Sequence, residues 1–219
     1  MAAAAAAAAA AKPLKVLALC GSLRAGSCNR AMLNYAAEVA PAAGLVVTAG
    51  DVGSLPLYNS DLHATAYPAP AAALRALARE ADAVLFATPE YNYSIPGTLK
   101  NAIDWLSKPD VDGTPHPLAG KPAAMMSAGG HLGGGRMQYH LRQVCVFLDM
   151  YPINKPEIMV RLYDGAKHFD DAGKLADPPV EGFIRELMAN LGDWTRTLAA
   201  GRAAVAAAKA AAAPAKPLA

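Results

Sequence analysis

The sequence has little cysteine, and the spacing of its three cysteines argues against two common uses. Cys20, Cys28 and Cys145 contain no C-x-x-C pair and are odd in number. This pattern predicts neither a zinc site nor a disulfide framework. The histidines are scattered without ligand spacing, so no metal is assigned. We therefore expect free thiols and a reducing compartment, the cytoplasm.

A strong charge of one sign is also missing. Lys and Arg number 20 against 18 Asp and Glu, and this balance predicts no nucleic-acid or membrane partner. Residues 2–11 are all alanine and lack the basic and strongly apolar regions of a secretory signal. No stretch approaches the ~20 strongly apolar residues that a membrane span needs. We expect alanine-rich tails at 1–12 and 201–219 around one domain, residues 13–200.

Between the tails, strand-like runs alternate with helix-like stretches. The strand-like runs lack polar alternation, as expected for parallel strands covered on both faces; they are 14–20, 45–49, 83–88, 122–127 and 157–162. The helix-like stretches are 29–40, 71–80, 97–107, 136–150 and roughly 180–200. This alternation predicts a three-layer, doubly wound α/β domain with a five-stranded parallel sheet of order 2-1-3-4-5. Ligands in such sheets lie beyond the carboxyl ends of strands 1, 3 and 4.

The loop after the first strand, "GSLRAGSCNR" at 21–30, has the composition of an anion site. It lacks the lysine of a Walker A loop, and its glycines have the wrong spacing for a dinucleotide fingerprint. Its short polar and basic side chains are Ser22, Arg24, Ser27 and Asn29. At a helix N-terminus, free N–H groups and the helix dipole favour a phosphate. Capping alone explains Ser27 but not the whole cluster.

The loops after the third and fourth strands suit a flat ring. In "TPEYNYSIPGTLKNAIDWLS", residues 91–94 lie between two stiffening prolines, and a heteroaromatic ring can stack on a tyrosine there. Glu90 is either a general base beside a ligand or, as we favour, a structural ion pair. In "SAGGHLGGGRMQYHLRQ", five glycines predict a bare backbone shelf beside a bound ring.

These segments resemble the NADPH-dependent FMN reductase family, in its quinone and chromate reductase branch. The likeness lies in "GSLRAGSCNR", "PEYNYSIPGTLKNAIDWLS", "GGHLGGGRMQYHLRQVCVFLDM" and "NKPEIM", and spans about Leu14 to Ala200. It implies a flavodoxin-like fold, non-covalently bound FMN, and a homodimer or homotetramer. It also implies hydride transfer from NADPH or NADH to quinones, with azo compounds, free flavin or chromate as further acceptors.

The resemblance also implies roles for individual residues. Ser22, Arg24, Ser27 and Asn29 would hold the FMN phosphate. Pro89, Glu90, Tyr91, Asn92, Tyr93 and Ser94 would line the isoalloxazine, with Ser127, Gly129, Gly130 and Gly133 on its other side. Tyr58, Arg136, Tyr139 and Arg142 would lie near the substrate entrance or subunit boundary. No catalytic side chain is assigned, because flavin N5 carries the chemistry.

Two other functions stay open at this point. A flavodoxin-type electron carrier is expected to cover its flavin with bulky aromatics and to carry strong negative charge, and the sequence shows neither. A non-catalytic redox sensor would signal the flavin's state to a protein partner. The sequence alone does not distinguish that sensor from an enzyme.

Overall fold

The computed structural model describes residues 12–110 and 112–212. Of the predicted tails, residues 1–11 and 213–219 lie outside the described residues, whereas residues 12 and 201–212 lie within them.

The strands form one parallel sheet. They are β1 Leu14–Cys20, β2 Leu45–Ala49, β3 Ala83–Ala87, β4 Pro122–Gly129, β5 Tyr151–Pro152 and β6 Ile158–Arg161. Their order begins β2-β1-β3-β4, and two short strands, β5 and β6, share the position next to β4. There β5 pairs with the start of β4 and β6 with its end. The predicted strand order is confirmed, with the fifth strand divided into two short pieces.

Within the described residues, six α-helices and one 3-10 turn accompany the strands. The helices are α1 Cys28–Val39, α2 Ser60–Thr65, α3 Ala69–Glu80, α4 Gly97–Leu106, α5 Gly135–Phe147 and α6 Pro178–Ala212, and the 3-10 turn is Ala40–Ala43. The predicted end of α5 at Met150 was wrong, because Asp149 has a φ of 49° and stops the helix. Met150 then leads directly into β5. The sequence analysis also missed α2, which the Asn59 side chain caps.

The helix α6 runs 12 residues past its predicted end at Ala200. From Gly201 to Ala212 every residue of this helix is exposed. Within the described part of the chain, no helix combines the length and apolar character of a membrane span.

Alternate residues of the strands enter two separate cores, one on each face of the sheet. Leu17, Leu19 and Phe86 pack on the side of α3, α4 and α5, where Cys145 is also buried. Cys20 packs on the other side with α1 and α6. Burial raises the pKa of the Cys145 thiol to about 12. Both cysteines are thus core residues, and burial on both faces of the sheet explains why the strands lack polar alternation.

Candidate functional site

Three loops meet at the carboxyl ends of β1, β3 and β4, which are neighbours in the sheet. They are the first loop (residues 21–27), the hairpin loop (88–96) and the glycine loop (129–134). The Thr98 hydroxyl donates a hydrogen bond to the Gly21 carbonyl at 2.8 Å. Asn29 joins α1 to β4, since its Nδ2 donates to the Ala128 carbonyl and its Oδ1 accepts from the Ala128 N–H, both at 2.9 Å. The loops therefore form one connected surface.

The first loop presents backbone donors that the protein does not use. Among the residues that the structure describes, the N–H groups of six residues find no acceptor: Ser22, Leu23, Ala25, Gly26, Cys28 and Asn29. The two remaining N–H groups between residues 22 and 29 are paired. Arg24 donates its N–H to Ser22 Oγ at 3.4 Å, and Ser27 donates its N–H to the Arg24 carbonyl at 3.1 Å. Free N–H groups at the N-terminus of a 12-residue helix are suited to form an anion cradle.

The side chains of this loop complete the cradle. Ser27 caps α1, because its Oγ accepts from the Arg30 N–H at 3.3 Å. Ser22 is buried, and its Oγ accepts from the Arg24 N–H at 3.4 Å. The Arg24 guanidinium is exposed and meets no carboxylate in the described chain; its nearest polar contact is Cys28 Sγ at 3.9 Å. It is therefore available to an anion on the loop.

The hairpin loop contains a tight two-residue turn. Tyr91 and Ser94 pair through both backbone hydrogen bonds, at 3.1 and 3.0 Å. Asn92 and Tyr93 occupy the turn with φ of 49° and 69°, the signs that a type I′ turn requires. A left-handed tyrosine is uncommon, and such strain is found chiefly at functional sites. The ring of Tyr93 lies under the Arg136 guanidinium, at 3.4 Å from its centroid.

Glu90 forms the structural ion pair that we favoured, and its partner is Arg136 of the same chain. Its carboxylate accepts from Arg136 Nε at 2.6 Å and from the Met137 N–H at 3.2 Å. The hydrogen bond and charge of Glu90 raise the pKa of the Arg136 guanidinium. The side chain of Glu90 is only 8% exposed, so both of its oxygens are committed to the start of α5. This pair fixes the hairpin loop relative to the glycine loop.

The glycine loop folds tightly against β4 and β6. Ser127 Oγ donates to the Gly133 carbonyl at 2.6 Å and accepts from Gln138 Nε2 at 2.8 Å. A Cβ atom at Gly133 would lie 2.4 Å from the Met159 backbone, and φ there is +60°. At Gly134 a Cβ would lie 2.8 Å from the Ser127 side chain. These glycines are thus required by close packing, beyond the bare shelf that the sequence suggested.

A small strap, residues 163–176, covers the glycine loop after β6. The Leu162 N–H donates to the Gly129 carbonyl at 2.9 Å, and the Tyr163 ring lies 3.4 Å from where a Gly130 Cβ would be. His168 holds the strap in place through contacts of both its ring nitrogens. Its Nδ1 is 2.5 Å from Asp177 Oδ2, and its Nε2 lies 3.0 Å from the Arg161 carbonyl and 3.2 Å from Asp164 Oδ1.

The groups that face the His168 ring nitrogens, namely Asp177, Asp164 and the Arg161 carbonyl, are acceptors, so these contacts favour the protonated, imidazolium form of the ring. Burial by itself lowers the pKa of His168, but the hydrogen bonds to Asp177 and Asp164 outweigh burial and raise it above its ordinary value. Because the pKa is raised on folding, this contribution to stability is complete below the ordinary histidine pKa of about 6.5. It is lost as the pH rises through the raised value.

We expect His168→Gln to lower Tm by about 2–4 °C near pH 6, the shift that a loss of about 1 kcal/mol gives a chain of this size. The difference from the parent protein should shrink as the pH rises, because the parent then loses the same contribution. Thermal unfolding of both proteins across this pH range measures it. His131→Gln, which removes an exposed histidine, serves as the control. A difference that stays constant at every pH would contradict this account.

The residues predicted at the substrate entrance or subunit boundary lie in different places. Arg136 belongs to the site, as described above. Tyr139 donates to Glu157 Oε1 at 3.3 Å, and Arg142 donates to the Ile153 carbonyl at 3.1 Å. Both therefore hold the segment between β5 and β6 against α5. Tyr58 packs edge-on against Trp105 of α4, with ring centroids 5.0 Å apart, and its N–H donates to Asn101 Oδ1 on the same helix at 2.8 Å.

The sequence analysis gave no role to three residues that hold the site together. They are Thr98 on α4, Gln138 on α5 and His140, whose Nδ1 lies 2.9 Å from Ser94 Oγ. The only local signal was a cluster of polar residues in the first turns of two helices that follow the predicted loops. Their partners are distant in sequence.

Comparison with known proteins agrees with this geometry. Residues 14–164 match the family described as NADPH-dependent FMN reductase. An NAD(P)H-dependent FMN reductase of Pseudomonas aeruginosa is 46% identical over 186 residues, covering 84% of this chain and 97% of that protein. An NAD(P)H:quinone oxidoreductase of Solanum tuberosum is 48% identical over 178 residues, covering 80% and 89%. Among solved structures, FerB of Paracoccus denitrificans, a flavoenzyme NAD(P)H:(acceptor) oxidoreductase, has a TM-score of 0.73 at 29% identity, covering 84% and 98%.

The chain belongs to the NADPH-dependent FMN reductase family. The predicted family and the flavodoxin-like fold are confirmed. As a member of this family, the protein is an oxidoreductase that uses FMN and NAD(P)H.

The loops of this FMN reductase fit FMN. The first loop offers free N–H groups, buried hydroxyls and the Arg24 guanidinium to a terminal phosphate, without a lysine directed at a bond to be cleaved. At the start of α4, a Cβ on Gly97 would meet no atom within 4 Å, so the space beside the hairpin loop is open. The donor chemistry suits a phosphate at one end of the site and a flat ring at the other.

Proposed function

We propose that this FMN reductase transfers a hydride from NADPH or NADH through FMN to quinones. The observation that carries the proposal is the set of six unpaired N–H groups in the first loop and at the start of α1, together with the exposed Arg24 guanidinium. The quinone acceptor rests on the names of relatives such as the Solanum tuberosum oxidoreductase. Azo compounds, free flavin and chromate are the further acceptors that we propose.

In this proposal the first loop holds the FMN phosphate. The free N–H groups and Arg24 supply donors and charge, while Ser22 and Ser27 keep the loop in shape from buried positions. The Asn29 side chain uses its oxygen and one Nδ2 hydrogen in hydrogen bonds with the Ala128 backbone. Its second Nδ2 hydrogen is left to donate to the phosphate. Its larger role is to fasten the phosphate loop to β4.

The hairpin and glycine loops hold the ring. Residues 89–94 would line one side of the isoalloxazine, and Ser127, Gly129, Gly130 and Gly133 would flank the other. Free N–H groups at Asn92 and Tyr93 can donate to the ring's polar edge, because neither has an acceptor in the described chain. The Glu90–Arg136 pair keeps both loops at a fixed spacing.

When bound, FMN supplies an N5 atom that accepts a hydride and passes it on. The protein's own work is to bind and orient: the first loop fixes the phosphate, and the hairpin fixes the ring plane. No acid–base pair is required of the side chains. Glu90, the one carboxylate in the hairpin loop, is held by Arg136 and the start of α5 and does not act as a base.

We expect heat or acid to release FMN, and not FAD, from the purified protein, because the first loop is suited to a terminal phosphate. Ser22→Ala with Arg24→Ala should raise the Kd for FMN about tenfold or more, since a charge-assisted hydrogen bond contributes about 1.5–3 kcal/mol. Flavin fluorescence titration measures the Kd, and chromatography identifies the flavin. Arg202→Ala, at the opposite end of the sheet beside Gly120, is the control and should leave the Kd unchanged. Release of FAD, or no binding of FMN, would refute the proposal.

We also propose that the working form is a dimer or a tetramer built on the face between α4 and α5. A groove of about 500 Å³ lies there, with Ile95, Ile103 and Val144 in its walls. Phe147 stands at its rim and is 87% exposed. A second copy is the occupant that fits, because a Phe147 ring from each protomer can fill the groove of the other. Such self-complementarity is the hallmark of a two-fold interface.

Charge favours the same occupant. The groove carries Lys108 and the ion pair of Lys100 with Asp104, while α5 has no basic residue in its last turn. The C-terminal end of a partner's α5 would therefore meet the Lys108 cation in the groove. The groove also reaches Ser94 and His140, so the partner would lie beside the hairpin loop.

We propose the cytoplasm as the location of the protein, because all three cysteines are free.

We expect Phe147→Asp to convert the oligomer largely to monomer, because it places a charge in the apolar groove of the partner. Light scattering over a range of protein concentrations measures the mass. Val205→Asp, at a half-exposed apolar position on α6, is the matched control and should leave the mass unchanged. If the Phe147 variant keeps the parent's mass, the α4–α5 face is not the interface.

A further inference from the structure

A second cavity, of about 330 Å³, lies beside α1 on the other face of the sheet from α4 and α5. Its walls are one face of α1, the strap tip at 172–175 and the first loop at 25–27. Residues 25–27 therefore belong both to this cavity and to the first loop, which we assign to the FMN phosphate. The rest of the cavity has no role in the function proposed above.

Two unpaired cations face this cavity from different walls. Arg30 projects from α1 and Lys174 from the strap, and neither forms an ion pair with any carboxylate of residues 12–110 or 112–212. Arg185 is already engaged with Glu181 and with the Tyr35 hydroxyl at the cavity's edge. The N-terminus of α1 adds partial positive charge. The cavity therefore suits an anion.

One carboxylate, Glu38, also lines the cavity, two turns along α1 from Arg30. A carboxylate accepts hydrogen bonds from hydroxyl groups, and a guanidinium pairs with phosphate. The set of groups on the walls thus matches a sugar that carries both a phosphate and free hydroxyls. Small-molecule pockets span about 300–1,000 Å³, so this one holds a nucleoside phosphate but not a whole dinucleotide.

NADPH differs from NADH only in a phosphate on the ribose of its adenosine end, and arginine is a recurrent partner of that phosphate. We propose that the cavity binds this phosphorylated ribose, with Arg30 and Lys174 on the phosphate and Glu38 on a ribose hydroxyl. The inference rests on the proposed function, because it places the non-reacting end of the hydride donor. The protein then prefers NADPH to NADH.

The test uses the FMN-loaded protein and measures binding of 2′,5′-ADP and of 5′-AMP by calorimetry. Arg30→Gln with Lys174→Gln should weaken 2′,5′-ADP binding about tenfold or more, because charge-assisted hydrogen bonds are lost, and should change 5′-AMP binding by less than about twofold. In steady state, KM for NADPH should rise by a similar factor, with KM for NADH and kcat unchanged. Lys167→Gln with Arg196→Gln is the control, since each of those cations pairs with a carboxylate outside the cavity.

Three results would overturn the inference: unchanged 2′,5′-ADP binding, an equal loss for 5′-AMP, or release of FMN from the double variant. The last would assign the cavity to the FMN phosphate. Failure of the proposed function is a separate result, a parent protein that binds FMN but reduces no quinone with either nucleotide. Because the titration needs no turnover, it reports on the cavity in that case as well.

Discussion

Replacing Asn29 with alanine should lower the free energy of unfolding by about 2–4 kcal/mol, since it strands two buried backbone groups that each cost about 1–3 kcal/mol unpaired. Those groups are the N–H and C=O of Ala128, and the Asn29 side chain is their partner at 2.9 Å. Asn29 is 3% exposed, so water does not replace it. The loss corresponds to about 5–15 °C in Tm. FMN retention should fall with it, because the first loop is no longer fastened to β4.

Thermal and urea unfolding of the apoprotein measure this effect without interference from the flavin. Asn34→Ala is the matched control, since Asn34 is exposed on the same helix and its loss should change stability by less than about 0.5 kcal/mol. Equal stability of the Asn29 and Asn34 variants would show that the bridge to β4 contributes nothing.

Gly133→Ala should abolish tight FMN binding, raising the Kd at least tenfold. Its Cβ would lie 2.4 Å from both the carbonyl carbon and the oxygen of Met159, and backbone atoms have little room to move. The φ of +60° adds a cost of about 1–2 kcal/mol for any residue with a Cβ. The glycine loop must therefore leave its position against β6, and Ser127 loses its acceptor at Gly133.

Gly165→Ala separates the two causes. Gly165 has a φ of +84° in the strap, but a Cβ there would meet no atom within 4 Å. This variant carries the conformational cost without the clash, so its Kd for FMN should stay close to that of the parent. Flavin fluorescence titration compares the three proteins. Similar Kd values for both alanine variants would contradict the assigned role of close packing at Gly133.

Local patterns were sufficient to predict the central sheet. The uniformly apolar runs around Leu17, Phe86 and Met125 identified parallel strands buried on both faces, and the structure places each in the sheet. The divided fifth strand was not predictable in the same way. It depends on Asp149 taking a left-handed conformation, which ends α5 early, and an aspartate in sequence gives only a weak signal of this.

The candidate site shows the same limit. Sequence placed Ser27 and Asn29 at a helix start, but the bond from Asn29 to Ala128 joins residues 99 positions apart, which local pattern does not encode. Similarly, Glu90 was expected in an ion pair, yet nothing in the sequence singled out Arg136 as its partner. The glycine count suggested an open shelf. Which backbone lies where a Cβ would be, as at Gly133, becomes known only from the fold.

The central claim is that the protein passes electrons in pairs from NAD(P)H through FMN to a quinone. Anaerobic mixing of the FMN-loaded protein with NADPH or NADH, then with a quinone or, in a separate sample without quinone, with cytochrome c, tests it most directly. The account predicts rapid loss of the oxidised flavin absorbance, one hydroquinone formed for each nucleotide oxidised, and little reduction of cytochrome c. Slow flavin reduction by both nucleotides, or electrons delivered singly to cytochrome c, would contradict it and favour an electron carrier.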